Sequence, residues 1–465
     1  MSLCDDAAAL GSGASPEATA VLAEAIDAGG AIDESATVKA PKSSRAAPVP
    51  RTLQVFSYCF MGLFMAFLVL QQFLSSVLNQ TGFWVLASIY AAFFVGTLLS
   101  PRCCRRLGLK AAMVSAACAY TTLHVCVAVV AAGALAKAAA VGLVLVGGAV
   151  CGGGAAVLWT AQGAYCAAIE QHCEGATVEG CQSYFWGRLS TAGCFGFGFA
   201  LVLLGVLGLD EVAVLWILAA VSAAAVFVFA LRLPPLEAVA DEDAPDDASL
   251  ATKLSQTLSL FARRDICLKA VSFCHLGAQE GLFWGVVTAQ MSPTLIATSF
   301  LVHGALSASC CVVTGWRWGG VCAETKALAL AVLSVVGLAV TAAGLSTETS
   351  ESSVASSSGM LLCVGTAIFG LTDFPAHSLL RGSVGRAFQG SPLLEASMAN
   401  VIFCLTTGNI VFFVAGPMVD AAHQAIAVLG LGLLSTASLV FTVVAASPAE
   451  APAAAAAAVA LPLHK

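Results

Sequence analysis

Two acidic residues, Glu280 and Asp373, fall inside long apolar stretches of the chain, and three histidines, His275, His303 and His377, share that setting. An ionisable group at membrane depth is costly, and by default it marks a pathway or an internal partner. Carboxylates and imidazoles in such a place can exchange a proton or hold a cation. That chemistry would fall to Glu280 or Asp373, with His275 as proton partner. In the plainer alternative each group is neutral or bonded to a neighbouring helix, and Asp373 caps a break before Pro375. Gln71, Gln72 and Gln279 would supply polar lining or interface contacts. His172, Cys173 and Cys181 are too sparse for a zinc site without another ligand. Nowhere do a nucleophile, a base and an orienting group occur together, so an enzyme is not expected, nor is a cofactor or metal centre.

The composition dictates which elements hold these groups. Apolar residues make up 59% of the chain and charged residues 10%, with a mean hydropathy of +0.91. Soluble domains carry roughly 25% charged residues, so the bilayer is the expected solvent. Most of the 18 cysteines lie within apolar runs, where a thiol acts as a small hydrophobe, and no disulfide framework is implied. The formal charge of -7 arises largely from the amino-terminal tail and one loop, which gives no reason to expect nucleic acid.

Stretches of about 20 apolar residues, each long enough to cross the hydrocarbon core as a helix, recur twelve times. Their approximate bounds are 52–74, 82–100, 111–132, 138–163, 184–207, 212–232, 266–287, 294–314, 325–345, 358–379, 394–416 and 423–446. Residues 1–50 read as a disordered tail. No basic residue precedes the apolar patch at Ala7 to Leu10, so the first span, not a cleaved leader, is expected to direct insertion, with the mature start at or near Met1. With the amino terminus cytoplasmic, nearly every Lys and Arg falls on the cytoplasmic side and Lys137 alone on the other, which places both termini inside. Whether the membrane is the plasma membrane or an endomembrane is open. Asn79-Gln80-Thr81 forms a glycosylation sequon, and its short loop against the membrane argues against a glycan.

The expected organisation is a six-helix half over 51–232, a cytoplasmic linker over 233–265, a second half over 266–446 and an Ala/Pro-rich tail over 447–465. In the linker, Leu250, Leu254, Leu258 and Phe261 share one face of a helix. Two halves joined this way suggest a repeat about an axis along the membrane normal. Val146 to Gly152 and Val364 to Gly370 share Val-Gly-x-Ala-x-x-Gly, in the two spans such a repeat would pair. The first, fourth, seventh and tenth spans would then line a cavity, which favours His275, Glu280 and Asp373 over His303.

The most specific residue order is Gly152-Gly153-Gly154-Ala155-Ala156-Val157-Leu158-Trp159-Thr160-Ala161-Gln162-Gly163-Ala164-Tyr165. No strand precedes these glycines and no Lys-Ser/Thr follows, so a phosphate loop is excluded; small residues let membrane helices approach closely. Trp159 is expected at the cytoplasmic interface, with Thr160, Gln162, Gly163 and Tyr165 at the helix end. The segment resembles the signature of the Unc-93-like family, a branch of the major facilitator superfamily. Gly82 to Tyr90, Pro101, Gly108, Lys110, Met113 and Tyr120 extend the likeness over roughly residues 75–170. The resemblance implies an all-α membrane protein of twelve helices with the major facilitator fold. Its basic loop, with Pro101, Arg105, Arg106, Gly108 and Lys110, resembles the superfamily's but lacks the usual aspartate, which puts ordinary alternating access in doubt. Cys103 and Cys104 beside it are expected to stay unmodified.

Two functions follow. One is transport of a small solute or ion by alternating access. The other, implied by the family, is a non-transporting regulator of a potassium channel or a trafficking partner of a membrane receptor, with the family motif serving packing and an inner gate.

Overall fold

The computed structural model describes residues 49–172, 178–236, 259–316, 323–347, 356–388 and 394–459, together with Ser255. Among these residues the chain is entirely helical. Ten helices are long and apolar enough to span a membrane: Arg51–Leu78, Gln80–Thr97, Leu109–Ala131, Lys137–Cys166, Tyr184–Val206, Glu211–Arg232, Pro293–Thr314, Glu324–Ser346, Ser357–Val384 and Ala421–Val444. Two more complete the twelve. Arg264–Gly281, the seventh, carries Arg264, Lys269 and Glu280 and continues as a π turn over Leu282–Val287. Leu394–Ala415 is the eleventh. The amino-terminal tail and the linker positions Leu250, Leu254 and Leu258 lie outside the described residues.

The repeat expected from the sequence is visible in the helix pairing. In the first half the first span packs on the fifth and sixth, the second and third pack on the fourth, and the third packs on the sixth. In the second half the seventh packs on the eleventh and twelfth, the eighth and ninth on the tenth, and the ninth on the twelfth. The shared Val-Gly-x-Ala-x-x-Gly motif makes matching contacts in the two halves. A Cβ on Gly152 would strike the carbonyl of Ile89 in the second span, and one on Gly370 would strike the backbone of His303 in the eighth. Close backbone approach of this kind is the established use of small residues between membrane helices.

The halves meet along the fifth and eighth spans and along the second and eleventh. At the first of these crossings Gly304 faces Gly193 and Cys194 so closely that a Cβ on Gly304 would lie 2.9 Å from the Cys194 Cα. Towards one end of the bundle Ser75 and Thr288 share a hydrogen bond of 2.8 Å between the first and seventh spans. Towards the other, Phe94 meets Phe403 at a centroid distance of 4.6 Å. Large apolar side chains such as Phe195, Phe227 and Phe441 point outward and are more than half exposed. Lipid is the solvent such a surface requires, because backbone groups are already satisfied within each helix.

Candidate functional site

The buried ionisable groups gather at one place in the second half. Glu280 sits at the end of the regular part of the seventh span, immediately before the π turn, a helix irregularity frequent at functional sites. Asp373 and His377 are four residues apart on the tenth span and so share a helix face. That helix runs unbroken through Pro375, so Asp373 does not cap a break there. His377 Nε2 lies 2.7 Å from Glu280 Oε1 and 3.6 Å from Asp373 Oδ1. Glu280 Oε2 accepts a 2.8 Å hydrogen bond from Asn409 Nδ2 of the eleventh span. His303 Nε2, from the eighth span, faces Asp373 Oδ2 at 3.5 Å. Close approach at Gly370 is what brings the eighth span near enough for that contact.

Asp373 is 0% exposed and Glu280 4%. Neither Asp373 oxygen makes a hydrogen bond to a described residue. An isolated ionised carboxylate in an apolar interior costs several kcal/mol even after relaxation, so it requires a partner, a proton or a cation.

His275 lies elsewhere. Its Nε2 is 3.0 Å from Ser334 Oγ, and Ser334 donates to Gln279 Oε1 at 3.1 Å. These groups, with Ser272 and Ser435, border a small, mostly apolar pocket of about 20 Å³, room for one water molecule. The structure therefore brings Glu280 and Asp373 together with His377 and His303, and leaves His275 in a separate network between the seventh and ninth spans.

One side chain of the first half that reaches the cluster is Trp186. Trp186 of the fifth span stacks on His377, with centroids 5.8 Å apart and planes at 10°. Phe374 lies 5.8 Å from the same indole. The Arg381 guanidinium sits over it at 5.2 Å, in a geometry suited to a cation–π contact. Arg381 is half-buried in the bundle, not in a loop as its place among the cytoplasmic basic residues suggested. Trp159 also stacks on Trp186, at 5.3 Å with planes at 9°. The signature tryptophan is thus two rings from the buried acids.

The remaining signature residues hold helices together. Thr160 Oγ1 and Ser100 Oγ lie 2.6 Å apart, Gln162 Nε2 donates to Gln182 Oε1 at 3.0 Å, and Tyr165 donates to the Pro234 carbonyl at 2.9 Å. A Cβ on Gly163 would meet nothing within 4 Å. The helix does not end at this motif: it runs on to His172, so Trp159 is half-buried among Phe60, Phe64, Phe185 and Trp186 instead of at a terminus. Pro101 opens the short helix Ser100–Leu107. Arg105 and Arg106 are exposed on it, and the chain turns at Gly108 (φ +76°) before Lys110. Cys104 is buried, with Sγ 3.8 Å from the Val157 carbonyl.

An all-helical membrane bundle of two six-helix repeats, with a buried charge cluster beside the plane where they meet, has the major facilitator fold. Solved structures with this architecture include the E. coli fucose:proton symporter FucP (13% identity, TM-score 0.53, covering 84% of this chain and 99% of that one). Others are a D-xylose-proton symporter (11%, TM-score 0.59, 84% and 95%) and the inward-open xylose transporter XylE from E. coli (13%, TM-score 0.58, 84% and 93%). At such identities the likeness is one of fold. No curated protein is similar to the chain by direct sequence comparison. The profile of the family described as "Ion channel regulatory protein UNC-93" matches residues 74–441, and the chain belongs to that family.

Proposed function

We propose that this protein is a secondary transporter that moves a small solute or cation by alternating access, with Glu280, Asp373, His377 and His303 as its coupling site. The observation that carries this reading is a pair of deeply buried carboxylates with imidazole and amide partners and the Arg381 guanidinium nearby, placed where Trp186 of one half closes over the other. Rocking the halves would lift Trp186 from His377 and alter the surroundings of both acids. The fold supports this use, since alternating access in such repeats is largely rigid-body motion about a site at the repeat interface. We assign the Arg102 to Lys110 end of the bundle to the cytoplasm, on the positive-inside rule.

A second reading has its own support. The family description names a channel regulator, and the basic loop from Pro101 to Lys110 has no acidic residue. In that reading the outward apolar faces serve a channel or receptor subunit. Reconstitution into liposomes separates the two. Proton- or cation-coupled flux that is lost in Glu280→Gln and in Asp373→Asn supports transport. Wild-type flux in both variants refutes the site, and absence of flux with co-purification of a channel or receptor supports the regulator.

A further inference from the structure

We infer that Glu280, Asp373 and His377 form a binding site for a divalent first-row transition-metal cation of the zinc type. The inference names a ligand class for the site on which the transport reading rests, but binding is measurable apart from flux, so either can fail alone.

One oxygen from each carboxylate and one imidazole nitrogen lie within 4.8 Å of one another. Two ligand atoms each about 2.0–2.2 Å from a common metal are at most about 4.4 Å apart. In a tetrahedral set the separation is about 3.3–3.6 Å, so side-chain rotations that move ligand atoms by up to about 1.5 Å bring all three onto one ion. Three such N/O ligands with an open fourth position suit zinc, cobalt or manganese; potassium and calcium prefer more oxygens and no imidazole.

Independent observations within the cluster point the same way. Asp373, fully buried, turns both oxygens inward without a hydrogen bond to a described residue at either. Around the three ligands are groups that would orient them from behind, as outer partners do in metal sites. Asn409 fixes Glu280 by its Oε2, leaving Oε1 towards His377. His303 approaches Asp373 at Oδ2 while Oδ1 faces His377. We treat Asn409 and His303 as positioning residues.

Charge limits the affinity usefully. Two carboxylates and the nearby Arg381 sum to one negative charge with both histidines neutral, so a divalent ion leaves the site positive by one. Arg381 therefore weakens binding, and a transported ion must also be able to leave. The hydrogen between His377 Nε2 and Glu280 Oε1 must leave that nitrogen when the metal enters, and the neutral imidazole can carry it on Nδ1, which has no hydrogen-bond partner among the described residues.

The test is equilibrium dialysis of the full-length detergent-solubilised protein against Co²⁺, with its absorption spectrum recorded. The expected result is one equivalent bound with a weak visible band and no thiolate charge-transfer band, which excludes the chain's cysteines as ligands. Glu280→Gln, Asp373→Asn and His377→Gln should abolish that band. Asn409→Ala and His303→Gln should weaken binding about 10- to 100-fold, and Arg381→Gln should lower the dissociation constant. A folded wild type that binds no Co²⁺ after prolonged equilibration overturns the inference, as does a thiolate-dominated spectrum or unchanged binding in Asp373→Asn. Should a ligand variant fail to fold, the spectrum and stoichiometry of the wild type decide alone. Proton-coupled flux without Co²⁺ binding would remove the metal and leave the transport reading standing.

Discussion

Replacing Trp186 with leucine tests whether the ladder of rings holds the halves together at the cluster. Leucine keeps much of the apolar bulk but removes the stack on His377, the contact with Phe374 and the cation–π contact with Arg381. Each aromatic pair is worth about 0.5–1.5 kcal/mol beyond its buried area, and the Arg381 contact about 0.5–2 kcal/mol. All three join the first half to the tenth span, so about 1.5–5 kcal/mol favouring closure at this end would be lost. Even the lower figure shifts the ratio of closed to open forms roughly tenfold. Backbone hydrogen exchange in nanodiscs should therefore speed up at residues 377–384 of the tenth span in Trp186→Leu. Trp159→Leu is the control, because the rings it touches, Phe60, Phe64, Phe185 and Trp186, all belong to the first half. Equal exchange in wild type and Trp186→Leu, or equal acceleration by both variants, would refute the argument.

The glycine-rich face gives a paired prediction. Gly152→Ala should cost about 1–3 kcal/mol through overpacking against Ile89 and Ala92, whereas Gly153→Ala, whose Cβ would meet nothing within 4 Å, should be neutral or stabilising by up to about 1 kcal/mol; thermal unfolding in detergent ranks them. Tyr165→Phe removes the donor to the Pro234 carbonyl and should cost about 1 kcal/mol by the same assay, with no loss of flux. At the start of the twelfth span the Asp420 carboxyl is held below its usual range by hydrogen bonding from the His423 ring and then from the His423 and Ala422 backbone N–H groups. A depressed carboxyl contributes its stabilisation above its ordinary pKa and loses it as pH falls through the lowered one, so amide exchange at Ala422 and His423 should quicken only in acid. An Asp420→Asn variant that behaves like wild type across that range would count against the cap.

The spans were legible because hydropathy and length decide what can cross a bilayer, and the paired glycines carried the repeat. The seventh span was found despite Arg264, Lys269 and Glu280, which dilute its apolar signal, but its π turn left no trace in residue type. The site was legible in part. Glu280 and Asp373 stood out as intramembrane acids, and their meeting was not readable, since it depends on the rotation of three helices about their axes. His303 ranked below His275 because a repeat argument assigns whole helices to the cavity; the close approach at Gly370 moves one face of the eighth span onto Asp373 regardless. Arg381 counted among the basic residues of the cytoplasmic face, whereas its helix runs on to Ala387 and carries it over Trp186. The motif helix outlasts the motif because Cys166 to Ile169 remain apolar and good helix formers follow at Glu170 and Gln171.

The contact between Gly304 and the Gly193–Cys194 backbone means that the two halves touch there main chain to main chain. A bearing of this kind has no teeth. Turning one half on the other requires no side chain at that contact to leave one groove and enter the next, so the resistance to such a turn comes from the side chains around it, among them Phe197 against Phe300 on the same two spans, the ring ladder and the Ser75–Thr288 bond. A leucine at position 304 would convert the bearing into a ratchet, and the protein would then be set in whichever orientation its new side chain first found room.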